Sequence, residues 1–144
     1  MQEGTMTQKH RMTDDWIILP GTTIGGEVGT FRVDFTIRNR VTGEERSLNG
    51  LVDTGASYTI IPAGILDELG IERDETELFS LADGSVQELD IGWADMDLEG
   101  RTRPVYVVFG TSDEKILLGA MALEAFALAA DAKNHRLIRA ELTI

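Results

Sequence analysis

The 144-residue chain contains no cysteine. A disulfide framework and thiolate chemistry are therefore excluded, and a reducing compartment is compatible. Histidine is almost missing: His10 falls in a polar N-terminal stretch and His135 beside Asn134 in a turn-like segment, neither with a partner at catalytic spacing. No apolar run approaches the roughly 20 residues that a membrane span needs, and Met1 to Asp15 lacks the apolar h-region of a signal peptide. Basic residues are scarce as well, 13 against 25 acidic, and the resulting net charge of -12 disfavours nucleic acid and anionic membranes as partners. The expectation is a cytoplasmic protein that binds neither.

What remains is an ordinary globular composition, 42% hydrophobic and 26% charged, at a length that suits one domain. Residues 1–15 show no periodicity and read as a flexible tail, leaving 16–144 as the single domain. Trp16 to Pro20 is a first apolar run, and Gly21 to Gly29 reads as a loop. Phe31, Val33, Phe35 and Ile37 alternate with Arg32, Asp34, Thr36 and Arg38, the two-residue period of a half-buried strand. Thr42-Gly43 then supplies a hairpin turn, and the chain returns through Leu48. Pro62 opens a short helix with Ile65, Leu66 and Leu69 on one face, and Gly70 ends it.

Further on, Glu77 to Leu81 and Val86 to Trp93 are extended runs around Ala82-Asp83-Gly84-Ser85, and Asp-Gly in that position predicts a hairpin. The apolar phase flips between Trp93 and Met96, which predicts a β-bulge near Ala94 and Asp95. Val105 to Phe109 and Lys115 to Gly119 read as buried strands. Ala120 to Ala130 reads as a buried helix that turns into a strand before Asp131, and Ile138, Ala140, Leu142 and Ile144 alternate as a last strand. Many short strands with turn signals and one or two short helices predict a mainly β, barrel-like domain.

One stretch organises the rest. In Leu51-Val52-Asp53-Thr54-Gly55-Ala56-Ser57 an apolar run delivers a single acid into a tight turn of small residues, and Tyr58-Thr59-Ile60-Ile61-Pro62 returns at once to apolar character. An acid flanked by core on both sides is penalised unless it is bonded or partnered, so it is a functional candidate; the bland alternative is an Asp that caps a turn. Asp95, Asp97 and Glu99 share one face of a strand and suggest an oxygen-ligand cation site, but a solvated face is the preferred reading, and no metal or cofactor is expected. Ser57 has no evident base and reads as structural. Phe79, Trp93, Tyr106 and Phe126 are spaced as core residues, whereas Tyr58 suits either core or a substrate subsite.

The Asp-Thr-Gly-Ala-Ser run, followed downstream by Leu117-Leu118-Gly119, resembles the retropepsin-like aspartic proteases, single-domain relatives of pepsin. The resemblance extends from about Thr30 to Ile144. It implies a closed-barrel acid-protease fold and an aspartic endopeptidase acting on extended polypeptides. Such hydrolysis needs two carboxylates that share one proton, and only one Asp-Thr-Gly is present, so the resemblance implies a homodimer with Asp53 of each subunit at the axis. It further implies that the Thr54 hydroxyl bonds across that axis and that Gly55 and Ala56 support the carboxylates. Leu118 and Gly119 would pack around the loop, and Ala82, Asp83, Gly84 and Ser85 would form the flap over substrate. Ala120 and Ser57 stand where retroviral members carry an Arg and its acidic partner, so that ion pair is absent. The alternative is a catalytically weak or inactive fold kept for dimerisation or peptide binding.

Overall fold

The computed structural model describes residues 8–10, 17–19, 30–81 and 83–141. Strands β1 (Gln8–His10) and β2 (Ile17–Leu19) pair with each other in antiparallel fashion. The first of these lies within the stretch 1–15; the rest of that stretch and the expected loop 21–29 fall outside the described residues.

Seven strands make the main sheet: β3 (Phe31–Arg38), β4 (Glu45–Val52), β5 (Thr59–Pro62), β6 (Glu75–Ser80), β7 (Val86–Leu98), β8 (Arg101–Gly110) and β9 (Leu117–Leu118). They lie in the order β3-β4-β9-β5-β8-β7-β6. A further pairing of β3 with β7, Thr36 opposite Asp97 to Arg38 opposite Asp95, brings the sheet back on itself and leaves β6 outside the ring. Closure gives the sheet an inside and an outside, and the two-residue period assigns each side chain to one of them.

The inside is the core. Phe35 and Ile37 of β3, Val52 of β4, Leu118 of β9, Ile61 of β5, Val107 and Phe109 of β8, and Ala94, Met96 and Leu98 of β7 are all buried in one cluster. Two short helices add to it: α1 (Ala63–Glu68) through Leu66 and α2 (Ala120–Ala125) through Ala122 and Leu123. Pro62 stands at the N-terminus of α1 with extended ψ, and Gly70 follows the helix at φ +72, a left-handed stop that glycine makes without strain. After α2 the chain turns at Ala127, φ +56, into β10 (Leu128–Asp131), which pairs with β11 (Arg136–Arg139). That is where the expected helix-to-strand switch occurs.

Two expectations are corrected. No bulge interrupts β7 at Ala94 and Asp95: its register with β8 runs unbroken from Ile91 opposite Val108 to Leu98 opposite Arg101. Instead the strand is covered on both sides where the phase changes, with Ile91 and Gly92 buried in succession. Leu89, Ile91 and Trp93 point outward, while Ala94, Met96 and Leu98 point inward. The last strand is also earlier and shorter than the alternation from Ile138 suggests. β11 matches the four residues of β10, and Ala140 closes the pair by donating to the carbonyl of Ala127 at 2.8 Å; Leu142 to Ile144 lie outside the described residues.

The outside of β3, β4 and the adjoining end of β7 is polar. Arg38 bonds Glu45 at 2.9 Å and makes a two-pronged pair with Asp97, while Arg40 pairs with Asp95 at 3.3 Å. Asp97 also accepts from the Thr102 hydroxyl at 2.6 Å, and first the Arg38 bonds, then this one, hold its carboxyl below the usual carboxylate range. The acids expected to form a solvated face are therefore partnered by arginine in two cases out of three. Among the described residues no cluster of three or more His, Cys, Asp or Glu side chains is arranged to hold a metal.

Candidate active site

The Asp53 loop is held by backbone. β4 and β9 run parallel, Leu51 opposite Leu117 and Val52 opposite Leu118, so the end of β4 leans on a strand far along the chain. Leu51 N–H donates to Ile116 at 2.9 Å and Asp53 N–H to Leu118 at 3.0 Å. Within the turn, Ala56 N–H donates to the Asp53 carbonyl at 3.1 Å, and Gly55 N–H to the Asp53 carboxylate Oδ1 at 3.0 Å. The other oxygen, Oδ2, has no hydrogen bond within the described residues, and the residue is half-buried. One oxygen is held by the turn and the other is unbonded within the described residues.

The far side of the loop is clamped by the segment after β9. Ala120 N–H donates to Ala56 at 2.8 Å and Met121 N–H to Ser57 at 2.9 Å. Gly119 N–H donates to the hydroxyl of Thr59, which is only 1% exposed, at 3.1 Å. Glycine is required at 119 for space: a Cβ there would stand 2.9 Å from the Ala56 carbonyl oxygen and still closer to that of Tyr58. Where the resemblance leads one to look for an ion pair, Ser57 and Ala120 thus belong to a ladder of main-chain bonds.

Register shows which way the acid faces. Val52 is inside the barrel, so Leu51 and Asp53 point outside. Across the sheet Leu51 is opposite Leu117, Leu117 opposite Ile60, Ile60 opposite Val108 and Val108 opposite Ile91, an unbroken apolar row on the outer face of the sheet, covered at Leu117, Val108 and Ile91. Beyond that row Trp93 is opposite Tyr106, and Asp53, Tyr58 and Gly119 lie just outside the ends of β4, β5 and β9. Trp93 packs on Tyr106 at 3.9 Å between ring centroids with the planes tilted by 31°, Tyr58 lies 6.5 Å from Tyr106, and Phe79 meets Tyr58 edge-on at 5.3 Å. The outer surface, polar over β3 and β4, is apolar and aromatic beside Asp53.

Asp53, Thr54, Gly55, Ala56, Leu118 and Gly119 are therefore brought together, with Thr54 half-buried and its hydroxyl unbonded within the described residues. Ala82 lies outside those residues. Asp83, Gly84 and Ser85 form the tip between β6 and β7, where the Asp83 carboxylate accepts from the Ser85 hydroxyl at 2.6 Å and its N–H at 2.8 Å. These bonds hold the Asp83 carboxyl below its usual range, and Gly84 takes φ +89. The tip joins the acid's surroundings through Phe79, near the end of β6, and Tyr58. Of the aromatic residues expected in the core only Phe126 is there, 1% exposed; Phe79, Trp93 and Tyr106 are on the outer surface with Tyr58. Parity within β5 was the signal, since its inner residues are Thr59 and Ile61, so Ile60 and, just before the strand, Tyr58 fall on the other face.

A family model described as gag-polyprotein putative aspartyl protease matches residues 39–125, more than half of the chain, including Asp53, the β6–β7 hairpin and Gly119. The chain belongs to this family of retropepsin-like aspartic proteases. The chain is similar to the simian foamy virus (mac) protease seen in a solution structure, with 23% identity and a TM-score of 0.47 over 65% of this chain and 91% of that one. It is similar also to a retropepsin-like aspartic protease from Rickettsia conorii, with 19% identity and a TM-score of 0.43 over 66% of this chain and 81% of that one. No curated protein matches the sequence. In this retropepsin-like chain no helix among the described residues is long and apolar enough to cross a membrane.

Proposed function

We propose that the chain is an aspartic endopeptidase that hydrolyses peptide bonds in extended polypeptides, with a catalytic pair made of Asp53 from each of two copies. The observation that carries this reading is the carboxylate itself: Oδ1 is tied to Gly55, Oδ2 is unbonded within the described residues, and the residue follows β4 on the apolar outer face of the sheet. That is half of a reaction centre. A second copy related by a two-fold axis supplies the other half, and the Thr54 hydroxyl, unbonded within the described residues, pairs with its counterpart beside the axis.

In the pair one carboxyl is protonated and one is not. The ionised member takes a proton from a water whose oxygen attacks the scissile carbonyl carbon, and the protonated member gives its proton to the carbonyl oxygen. The tetrahedral species then collapses: the C–N bond breaks, the amine leaves with a proton from the pair, and the shared proton is restored. No metal or cofactor is needed. The hairpin tip at Ala82, Asp83, Gly84 and Ser85 serves as the flap, and the substrate binds as an added strand beneath it. The setting is the cytoplasm.

Digestion of a broad peptide library tests the assignment. Cleavage by the wild-type chain and none by Asp53→Asn is the expected result. Binding of peptides without cleavage by either would instead make the chain a peptide-binding module built on the same fold.

A further inference from the structure

Resting on the protease reading above, we propose a substrate class: polypeptide segments that carry an aromatic side chain two or three residues from the scissile bond, with a lysine or arginine beside it. The position follows from the sheet. Asp53 follows β4, Tyr58 precedes β5, and β9 lies between those two strands, a separation of two strand spacings or about 10 Å that an extended peptide covers in about three residues. Gly119, which lies between them, raises no side chain in the path.

The character of the seat follows from the rings. Tyr58, Phe79 and Tyr106 are half-buried and Trp93 is 39% exposed, so ring surface faces outward beside the acid rather than into the core. Tilted and edge-on rings of this kind receive a further ring well, because offset and perpendicular contacts add to the area buried. The surface is continuous with the Asp53 loop through the Tyr58 backbone, which packs against Gly119.

The charge preference follows from the hairpin. No lysine or arginine occurs between Asp74 and Gly100. Cross-strand register puts Glu77 opposite Leu89 and Glu75 opposite Ile91, on the same side of the hairpin as Phe79 and facing the same way as Trp93. Both glutamates are exposed, and neither has an ion pair within the described residues. A basic residue next to the aromatic one meets two uncommitted carboxylates, whereas an acidic one is repelled. In a two-fold dimer each copy offers this surface to one side of the cleaved bond, so the preference holds on both sides.

Two measurements test the proposal and separate it from the protease reading. In the first, wild-type protein cleaves peptides randomised at three positions on either side of the bond. Aromatic side chains at the second or third position should be favoured over alanine by about tenfold or more in kcat/KM, and lysine or arginine over glutamate beside them. Trp93→Ala should shrink the aromatic-to-alanine ratio, and Glu77→Lys should invert the lysine-to-glutamate ratio; ratios are insensitive to a general loss of folded enzyme. In the second, calorimetry on Asp53→Asn compares a peptide bearing Phe-Lys with one bearing Ala-Glu. Cleavage without either preference, or equal binding of the two peptides, overturns the proposal. Selective binding by a chain that cleaves nothing upholds it and overturns the protease reading instead.

Discussion

The amide of Asp53 donates to the carbonyl of Leu118 at 3.0 Å, so the residue that carries the carboxylate is anchored by main chain to a strand near the other end of the fold. Leu118 is fully buried, which makes the anchor rigid. The side chain of Asp53 takes no part in that anchor and bonds only Gly55 N–H among the described residues.

Asp53→Asn should therefore separate chemistry from stability. Its amide oxygen can still accept from Gly55, so the unfolding free energy should change by less than about 1 kcal/mol. Peptide cleavage should fall by about a thousandfold or more, because the pair loses its base. Denaturant titration beside a fluorogenic peptide assay checks both.

Activity should depend on protein concentration, since each copy brings one carboxylate. Specific activity should rise on concentrating a dilute sample. Adding excess Asp53→Asn protein to a fixed amount of wild type should suppress it, as mixed pairs form. Constant specific activity across a wide dilution series, with no suppression, would argue for a site complete in one copy.

Thr59→Val keeps shape and removes the acceptor for Gly119 N–H in a place closed to water. A buried donor left unbonded costs about 1–3 kcal/mol. We expect that loss in chemical denaturation, with a larger proportional loss of activity than of stability because Gly119 backs the Asp53 loop.

Gly119→Ala should be worse for the site than for the fold. The added methyl meets the carbonyl oxygens of Tyr58 and Ala56, which are main chain and cannot swing aside. Overpacking of this kind costs about 1–3 kcal/mol, and relief comes by pushing out residues 56–58, taking the Asp53 turn with them. Activity should be abolished in protein that still unfolds cooperatively.

Acid should weaken the barrel at the Arg38–Asp97 pair. The carboxyl of Asp97 titrates lower folded than unfolded, first because of Arg38 and then Thr102. Its contribution is thus complete above the pKa of an unfolded aspartate, about 3.9, and is lost as pH falls through the lower folded value. Asp97→Asn should flatten the fall in denaturation midpoint below about pH 4. An unchanged slope would show that the pair is not linked to folding.

Local patterns were legible in the sequence. Alternation from Phe31 to Arg38 read directly as a strand because one side is core and the other water. Asp83-Gly84 marked a hairpin because the turn needs positive φ. The Asp53 turn stood out because its small residues sit between apolar strands. What alternation did not separate was inside from outside where both sides are apolar. Ile91 and Trp93 look alike in sequence, yet on the outer face they share with Tyr106 the first is covered and the second exposed, and only pairing with β8 reveals that face. The phase flip in β7 misled for the same reason: a strand covered on two sides has no polar row to keep time by.

Strand β7 changes neighbour midway, giving Val86–Ile91 to β6 and Asp95–Asp97 to β3. From Gly92 to Ala94 that edge has no strand beside it among the described residues, so bending there ruptures no rung of the ladder on that side. The arm bearing Phe79, Asp83 and Glu77 is thus tied to the ring through β7 alone, whose other edge stays paired with β8 from Ile91 to Leu98.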